Sequence, residues 1–446
     1  MKADFARAMV ADCHGNIFDH PHLAMLAWDG ESWRQPLDAE LITLPKGSDV
    51  FVLPGRTPWA LDPLTDEPVE VLGDENTGEL QAVAAFVAPA YARLLHPAYD
   101  TRPGAPDLTL YAYTAIGWKN GRFVVPALRR DADQRQDPYR FDIDQVQAGV
   151  TQLRTALPNN LAIKHIEHCA LVYHCRAAQN FFLGRWEAPM PAASKCNAAC
   201  VGCISDQSES SFSANHERIA VPAVAKDLIE LAVLHLERVP NGVVSFGQGC
   251  EGEPLMQGKV LEATVRGIRE RTQAGVVNLN SNASLPKVVA RLAEAGLDSI
   301  RISMNSAQPE VYTRYYRPRG YDFSHVLQSA KEMSLRGKYV SINWFVFPGV
   351  SDTWAEIEAL SAFIDQGGVD LIQLRNLNID PELYLKLLPE GTVNGPLGVV
   401  AAIHELRRRF PKLRFGYFNP PKTRFGRPGP LPGRDLDLTL PPIGTP

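Results

Sequence analysis

The chain reads as α/β, a partial (β/α)6 TIM-like barrel behind an N-terminal α+β accessory domain, and three observations predict it. Beyond about residue 185, short runs rich in β-branched residues alternate with stretches of helical periodicity. That is the rhythm of a parallel sheet with crossover helices. Six such units can be counted where a closed barrel has eight, which leaves one side open to a large substrate. Before about residue 160 the apolar runs are short and punctuated by Pro and Gly, as in strands joined by turns.

In chain order, 49–55 and 121–126 read as strands with their turns. A helix is expected at 79–95. A second is expected at 142–157, where Ile143, Val146, Val150 and Leu153 recur at helical spacing and Pro158 follows. The barrel's first strand is expected just before Cys196, the second at 243–246, the third at 276–279, the fourth at 299–303, the fifth at 340–346 and the sixth at 370–374. Helices are expected near 257–273, at 286–295 with Gly296 as C-cap, at 324–336 and 353–366, and near 396–410. The implied division is 1–160 for the accessory domain, 161–184 as a connecting segment, 185–416 for the barrel and 417–446 as a Pro/Gly-rich tail, extended or loosely ordered.

With 446 residues, 45% of them apolar and 21% charged, the chain has the composition of an ordinary globular protein. A net charge of -5 without a basic stripe argues against nucleic acid as a partner. No signal-peptide stretch opens the chain and no run of about 18 or more apolar residues follows, so the expected setting is cytoplasmic, away from the membrane. Seven cysteines, three of them clustered, favour metal or redox use over a secreted disulfide framework.

The clustered thiols are Cys196, Cys200 and Cys203 in Ser194-Lys195-Cys196-Asn197-Ala198-Ala199-Cys200-Val201-Gly202-Cys203. Thiolates are soft ligands for zinc or iron-sulfur clusters, and the small neighbours let a loop wrap a metal group. Three ligands leave a position open, as catalytic metal sites do, whereas a structural zinc takes four. Zinc or buried thiols remain the plain alternative at this point.

This spacing of three residues and then two resembles the cluster motif of the radical S-adenosylmethionine superfamily, over roughly residues 185–390. Gly247-Gln248-Gly249-Cys250-Glu251-Gly252-Glu253-Pro254, after the second strand, is similar to the family's Gly-Gly-Glu-Pro element. The resemblance implies a 4Fe-4S cluster on Cys196, Cys200 and Cys203, with S-adenosyl-L-methionine on the open iron. Gly252, Glu253 and Pro254 would then meet the cofactor's amino group. Ser281 and Asn282 after the third strand, Ser303 and Asn305 at the end of the fourth and Val350 after the fifth would meet the rest, and Arg301 would pair with the carboxylate or with an acidic neighbour.

Reductive cleavage to a 5′-deoxyadenosyl radical, hydrogen abstraction from an unidentified substrate and a reducing partner such as flavodoxin or ferredoxin come with the family. A non-catalytic iron-sulfur or zinc-stabilised binding protein is the alternative. Two positions depart from the pattern: Gly202 stands where an aromatic residue usually precedes the third cysteine, and Glu251 where Gly is usual.

Outside the motif, Cys250 is a candidate hydrogen donor or a space-filling thiol. Cys169 and Cys175, with His168, His174 or the distant Cys13, are candidates for a second metal site against a plainer reading as buried thiols. Tyr315-Tyr316-Arg317-Pro318-Arg319 is expected in the loop before residue 324, as an anion contact or a solvated surface.

Overall fold

The computed structural model describes residues 5–205 and 216–426. The predicted tail is therefore seen only as far as residue 426; 427–446 lie outside the described residues. From Arg7 to Arg129 the chain is built of strands, most of them in one twelve-stranded antiparallel sheet and the rest in a small three-stranded one. The expected helix at 79–95 is absent: Gln81–Phe86 is a strand paired with Asp49–Val52 on one side and with Arg7–Ala11 on the other, and Tyr91–Arg93 is another. The alanines of Gln81–Phe86 favour a helix in isolation. Here Ala82, Val83, Ala84 and Ala85 are all buried, so packing on both faces overrides the local preference.

The helix expected at 142–157 spans Ile143–Ala156, and Asp142 caps it by accepting from Asp144 N and Gln145 N. Residues 161–184, expected only as a connection, fold as helices Ala162–Leu171 and Arg176–Phe182, which pack on that helix and on the edge of the barrel.

The barrel is a curled, open parallel sheet whose strands follow one another in sequence order: Glu187–Pro189, Val243–Phe246, Val276–Ser281, Ser299–Met304, Tyr339–Val346, Leu371–Asn376 and Arg414–Gly416. The last of these is a seventh strand beyond the six expected, too short to show a period. Its helices match expectation closely: Gly258–Arg271, Pro286–Ala295, Phe323–Ser334, Trp354–Gly367 and Val399–Arg409. Gly296 caps its helix in the left-handed region at φ 115°. Three further helices were not expected, Ala225–Arg238, Pro309–Tyr316 and Pro381–Leu387, so Tyr315 and Tyr316 end a helix instead of lying in a loop.

The N-terminal sheet and the barrel share one interface. Asn376 at the end of the sixth strand exchanges hydrogen bonds with Arg93 N and Tyr91 O, at 3.0 and 3.2 Å. Arg56 and Asp380, 2% and 1% exposed, pair at 3.0 Å across it. Gly30 and Gly349 meet backbone to backbone: a Cβ on Gly30 would stand 2.3 Å from Gly349 Cα. Among the described residues no helix is long and apolar enough to cross a membrane.

Candidate functional site

After the first strand the chain continues extended, beside the loop that follows the second, before it reaches the thiols. Gly252 N donates to Ala193 O at 2.6 Å and Glu253 N to Lys195 O at 2.9 Å. A Cβ on Gly252 would stand 2.2 Å from Lys195 O, so the close approach that this glycine permits is to the protein's own cysteine segment. Glu251, where the family pattern has Gly, ties the same two segments. Its carboxylate accepts from Ala192 N and Ala193 N at 2.7 and 3.0 Å, and from Gly247 N and Gln248 N at 2.5 and 3.2 Å. Burial pushes this carboxyl up to about 7, against the pull of those four N–H groups.

Glu253 is also buried. It accepts from Ser281 Oγ at 2.6 Å, Asn282 N at 2.8 Å and its own helix's Leu255 N at 3.0 Å, and burial raises it to about 6 despite these donors. Asn282 Nδ2 donates to Asn197 Oδ1 at 2.9 Å, and Asn197 Nδ2 to Ser284 Oγ at 2.9 Å. Glu253, Ser281 and Asn282 are therefore brought together in a network that also grips the cysteine loop. The other side of that loop is held by the helix Pro309–Tyr316, through Val201 N to Tyr315 O and Ala199 N to Tyr316 O.

Cys196, Cys200 and Cys203 are all partly buried. Burial raises Cys196 to about 11, and raises Cys200 as well. Arg218 Nη2 lies 3.9 Å from Cys203 Sγ, a cation suited to a thiolate. Among the described residues the one set of three His, Cys or acidic ligand atoms within 4.8 Å of one another is formed elsewhere, by His165, Cys169 and Cys250. The three loop thiols are thus spread more widely than a single tetrahedral ion requires, since its ligand atoms stand about 3.5–3.8 Å apart.

Cys200, Gly202 and Cys203 line one end of a cavity of about 400 Å³. Gly247, Gln248 and Gly249 form its side, with Arg301, Ser303, Asn343 and Phe345 from the strands below. Phe86 to Tyr91 from the N-terminal sheet, with Arg375 and Tyr417, close the far wall. Of the expected cofactor residues, Ser303 and Arg301 line this cavity. Asn305 is buried behind the wall, donating to Tyr384 Oη and Val311 O at 3.0 and 3.3 Å. Val350 is buried beside the Gly349–Gly30 contact, and Pro254 starts a short 3-10 helix. Cys250 is buried but does not line the cavity, and sits with His165 and Cys169 on the other side of its loop.

The missing aromatic at Gly202 has a counterpart. Tyr315 Oη lies 2.7 Å from where a Cβ on Gly202 would stand, and both residues line the cavity. Arg301 and Arg375 each carry a buried Nε without a hydrogen-bond partner, and burial, with the neighbouring Arg375, draws Arg301 down to about 9. Among residues that the sequence left unremarked, Arg375 and Tyr417 stack at 4.0 Å on the far wall. Nothing local marks them, because they meet through the sixth and seventh strands.

Comparison with known proteins agrees with this geometry. The model of the Radical SAM superfamily matches residues 190–364. FeMo cofactor biosynthesis protein NifB of Klebsiella pneumoniae is 25% identical over 183 residues, covering 37% of this chain and 38% of that protein. The probable GTP 3',8-cyclase of Thermococcus kodakarensis is 32% identical over 135 residues, covering 30% and 41%. The chain thus spans less than half the length of either. The structure of Streptococcus suis SuiB bound to S-adenosylmethionine superposes with a TM-score of 0.36 at 15% identity, covering 63% of this chain and 62% of that one. The segment matched by the family model holds the cysteine loop and four of the seven parallel strands, so the similarity to the Radical SAM superfamily covers the loop and the part of the barrel around it.

Proposed function

We propose that this chain holds a 4Fe-4S cluster on Cys196, Cys200 and Cys203, binds S-adenosyl-L-methionine beside it and uses the pair to abstract a hydrogen atom from an organic substrate in the cavity. The observation that carries this reading is a single one: the loop with three clustered thiols opens, together with the 247–249 loop, onto a shared cavity. When bound, the cluster and cofactor supply, on one-electron reduction, methionine and a 5′-deoxyadenosyl radical.

The chain's own residues then bind and orient. A carboxylate offers about four acceptor sites, and three on Glu253 are taken by Ser281, Asn282 and Leu255, leaving one for the cofactor's amino group. Gly252 and Pro254 set the path of that loop. Arg301, with its free Nε donor, and Ser303 face the cofactor carboxylate. Ser281, Asn282, Asn305 and Val350 act from behind the wall, as positioning residues. Phe345 and the N-terminal segment at Phe86 shield the radical from water. The setting is cytoplasmic, with flavodoxin or ferredoxin as electron donor.

Anaerobic reconstitution should give about four irons and four sulfides per chain, and dithionite reduction should yield 5′-deoxyadenosine. Cys200→Ala should lose both. Retention of cluster and product in that variant overturns the proposal, and zinc at the loop without iron or sulfide assigns the binding-protein reading instead.

A further inference from the structure

His165, Cys169 and Cys250 bring an imidazole nitrogen and two thiol sulfurs within 4.8 Å of one another, with both thiols buried. His165 Nε2 stands 3.7 Å from Cys169 Sγ. A tetrahedral zinc ion with bonds of about 2.3 Å to sulfur and about 2.0 Å to nitrogen holds its ligand atoms at just such separations. From the geometry we infer a second metal site here, separate from the cysteine loop, that takes one soft divalent cation, zinc.

His165 and Cys169 are four residues apart on the helix Ala162–Leu171, so they present ligands from one face. Cys250 comes from the loop between the second strand and Glu253, so an ion would tie that helix to the loop carrying Glu251 and Glu253. His216, whose buried Nδ1 has no hydrogen-bond partner, lies close to Gly249 on the same loop but outside this set of three. Two thiolates and imidazole are a zinc donor set, and the burial of both thiols fits a structural role. Binding releases the two thiol protons, and the His165 Nε2 proton, now facing Cys250 O at 3.1 Å, moves to Nδ1 or to solvent. The site differs from the one suggested by sequence order: Cys169 is in it, whereas Cys250 and His165 replace Cys175 and His168.

The test uses the full chain with Cys196, Cys200 and Cys203 all changed to Ala, so that the cysteine loop holds no metal. Purified and stripped with chelator, it should bind one equivalent of cobalt with the thiolate-to-cobalt charge-transfer band and the intense d–d bands of a tetrahedral site. Zinc should displace the cobalt. Adding Cys169→Ser and Cys250→Ser should abolish these bands, while Cys13→Ser and Cys175→Ser, made in the same background, should leave them. Circular dichroism checks that each variant is folded. Absence of the bands in the folded starting variant overturns the inference, as does their survival without Cys169 and Cys250. So does a Cys169–Cys250 disulfide, 2 Da lighter by mass spectrometry, in metal-free protein purified under reducing conditions. Because the cluster ligands are already absent, none of these outcomes touches the reading of the cysteine loop.

Discussion

Gly252 makes a sharp residue-scale test of how the site is assembled. Adding one methyl there places carbon 2.2 Å from Lys195 O and 2.5 Å from Lys195 C, backbone atoms that cannot swing aside. Overpacking of this kind costs about 1–3 kcal/mol, and its strain falls on the junction between the cysteine segment and the carboxylate loop. Gly252→Ala should therefore lower both the melting temperature and the iron bound after reconstitution, whereas Gly104→Ala, at a turn with nothing within 4 Å, should leave bound iron unchanged. Iron analysis alongside calorimetry decides it. At this scale the sequence was most legible where ligands lie close along the chain: Cys196, Cys200 and Cys203 stand out as a metal loop by spacing, and Glu253 through the resemblance of its Gly-Glu-Pro element to a known family. Tyr315 did not, because its approach to Gly202 brings together residues more than a hundred positions apart. The orientation of Cys250 was equally hidden, since a loop residue beside a glycine can face either the cavity or the helix behind it.

Among the elements, the helices show both sides of the same lesson. Pro286–Ala295 was legible from its period and from Gly296, whereas Pro309–Tyr316 and Pro381–Leu387 are only about two turns long, too short for a period. Each nonetheless begins with Pro at its first position and an acid next, a start signal that the sequence carries without any period to support it. The helix Trp354–Gly367 carries a testable titration. Its Glu356 is fully buried, and burial lifts the carboxyl to about 7, opposed by donors on Ser306, Ala307, Gln308 and Trp344. In the unfolded chain the group titrates near 4.5. Between these values the folded chain keeps a proton that the unfolded chain has released, so this group's contribution to stability is present below about 4.5 and is lost as pH rises through about 7. The full span is about 3 kcal/mol. Whatever its stability at pH 5, Glu356→Gln should show a smaller fall in melting temperature from pH 5 to pH 7.5 than the unaltered chain; an equal fall would show that Glu356 is ionised throughout.

For the whole molecule, the buried pair Arg56–Asp380 joins the N-terminal sheet to the helix Pro381–Leu387. Asp380 also accepts from Leu108 N at 2.8 Å, and from Glu382 N and Leu383 N at the start of its helix. Removing one partner of such a pair strands the other charge and costs about 3–5 kcal/mol. Arg56→Met should therefore lower the stability of barrel and sheet together, in one unfolding transition seen equally by tryptophan fluorescence and far-ultraviolet circular dichroism. Two separated transitions would mean that the halves fold independently. The half-barrel was legible because its strands and helices alternate in period. The sheet before it was not, because its pairings join runs far apart in sequence, and the preference of Gln81–Phe86 for helix yields only to those partners.

The cavity's far wall lies largely outside the stretch that the family holds in common. Phe86 to Tyr91, Arg375 and Tyr417 all fall beyond residues 190–364, while Cys200, Cys203 and Gly247 to Gly249 fall within it. Under the proposed function, the matched stretch would therefore carry the end of the chamber that makes a radical, and the N-terminal sheet with the segments around Arg375 and Tyr417 would carry the end that meets the target. Substitutions at Phe86 or Tyr417 should then change which substrate is accepted while the cluster still loads.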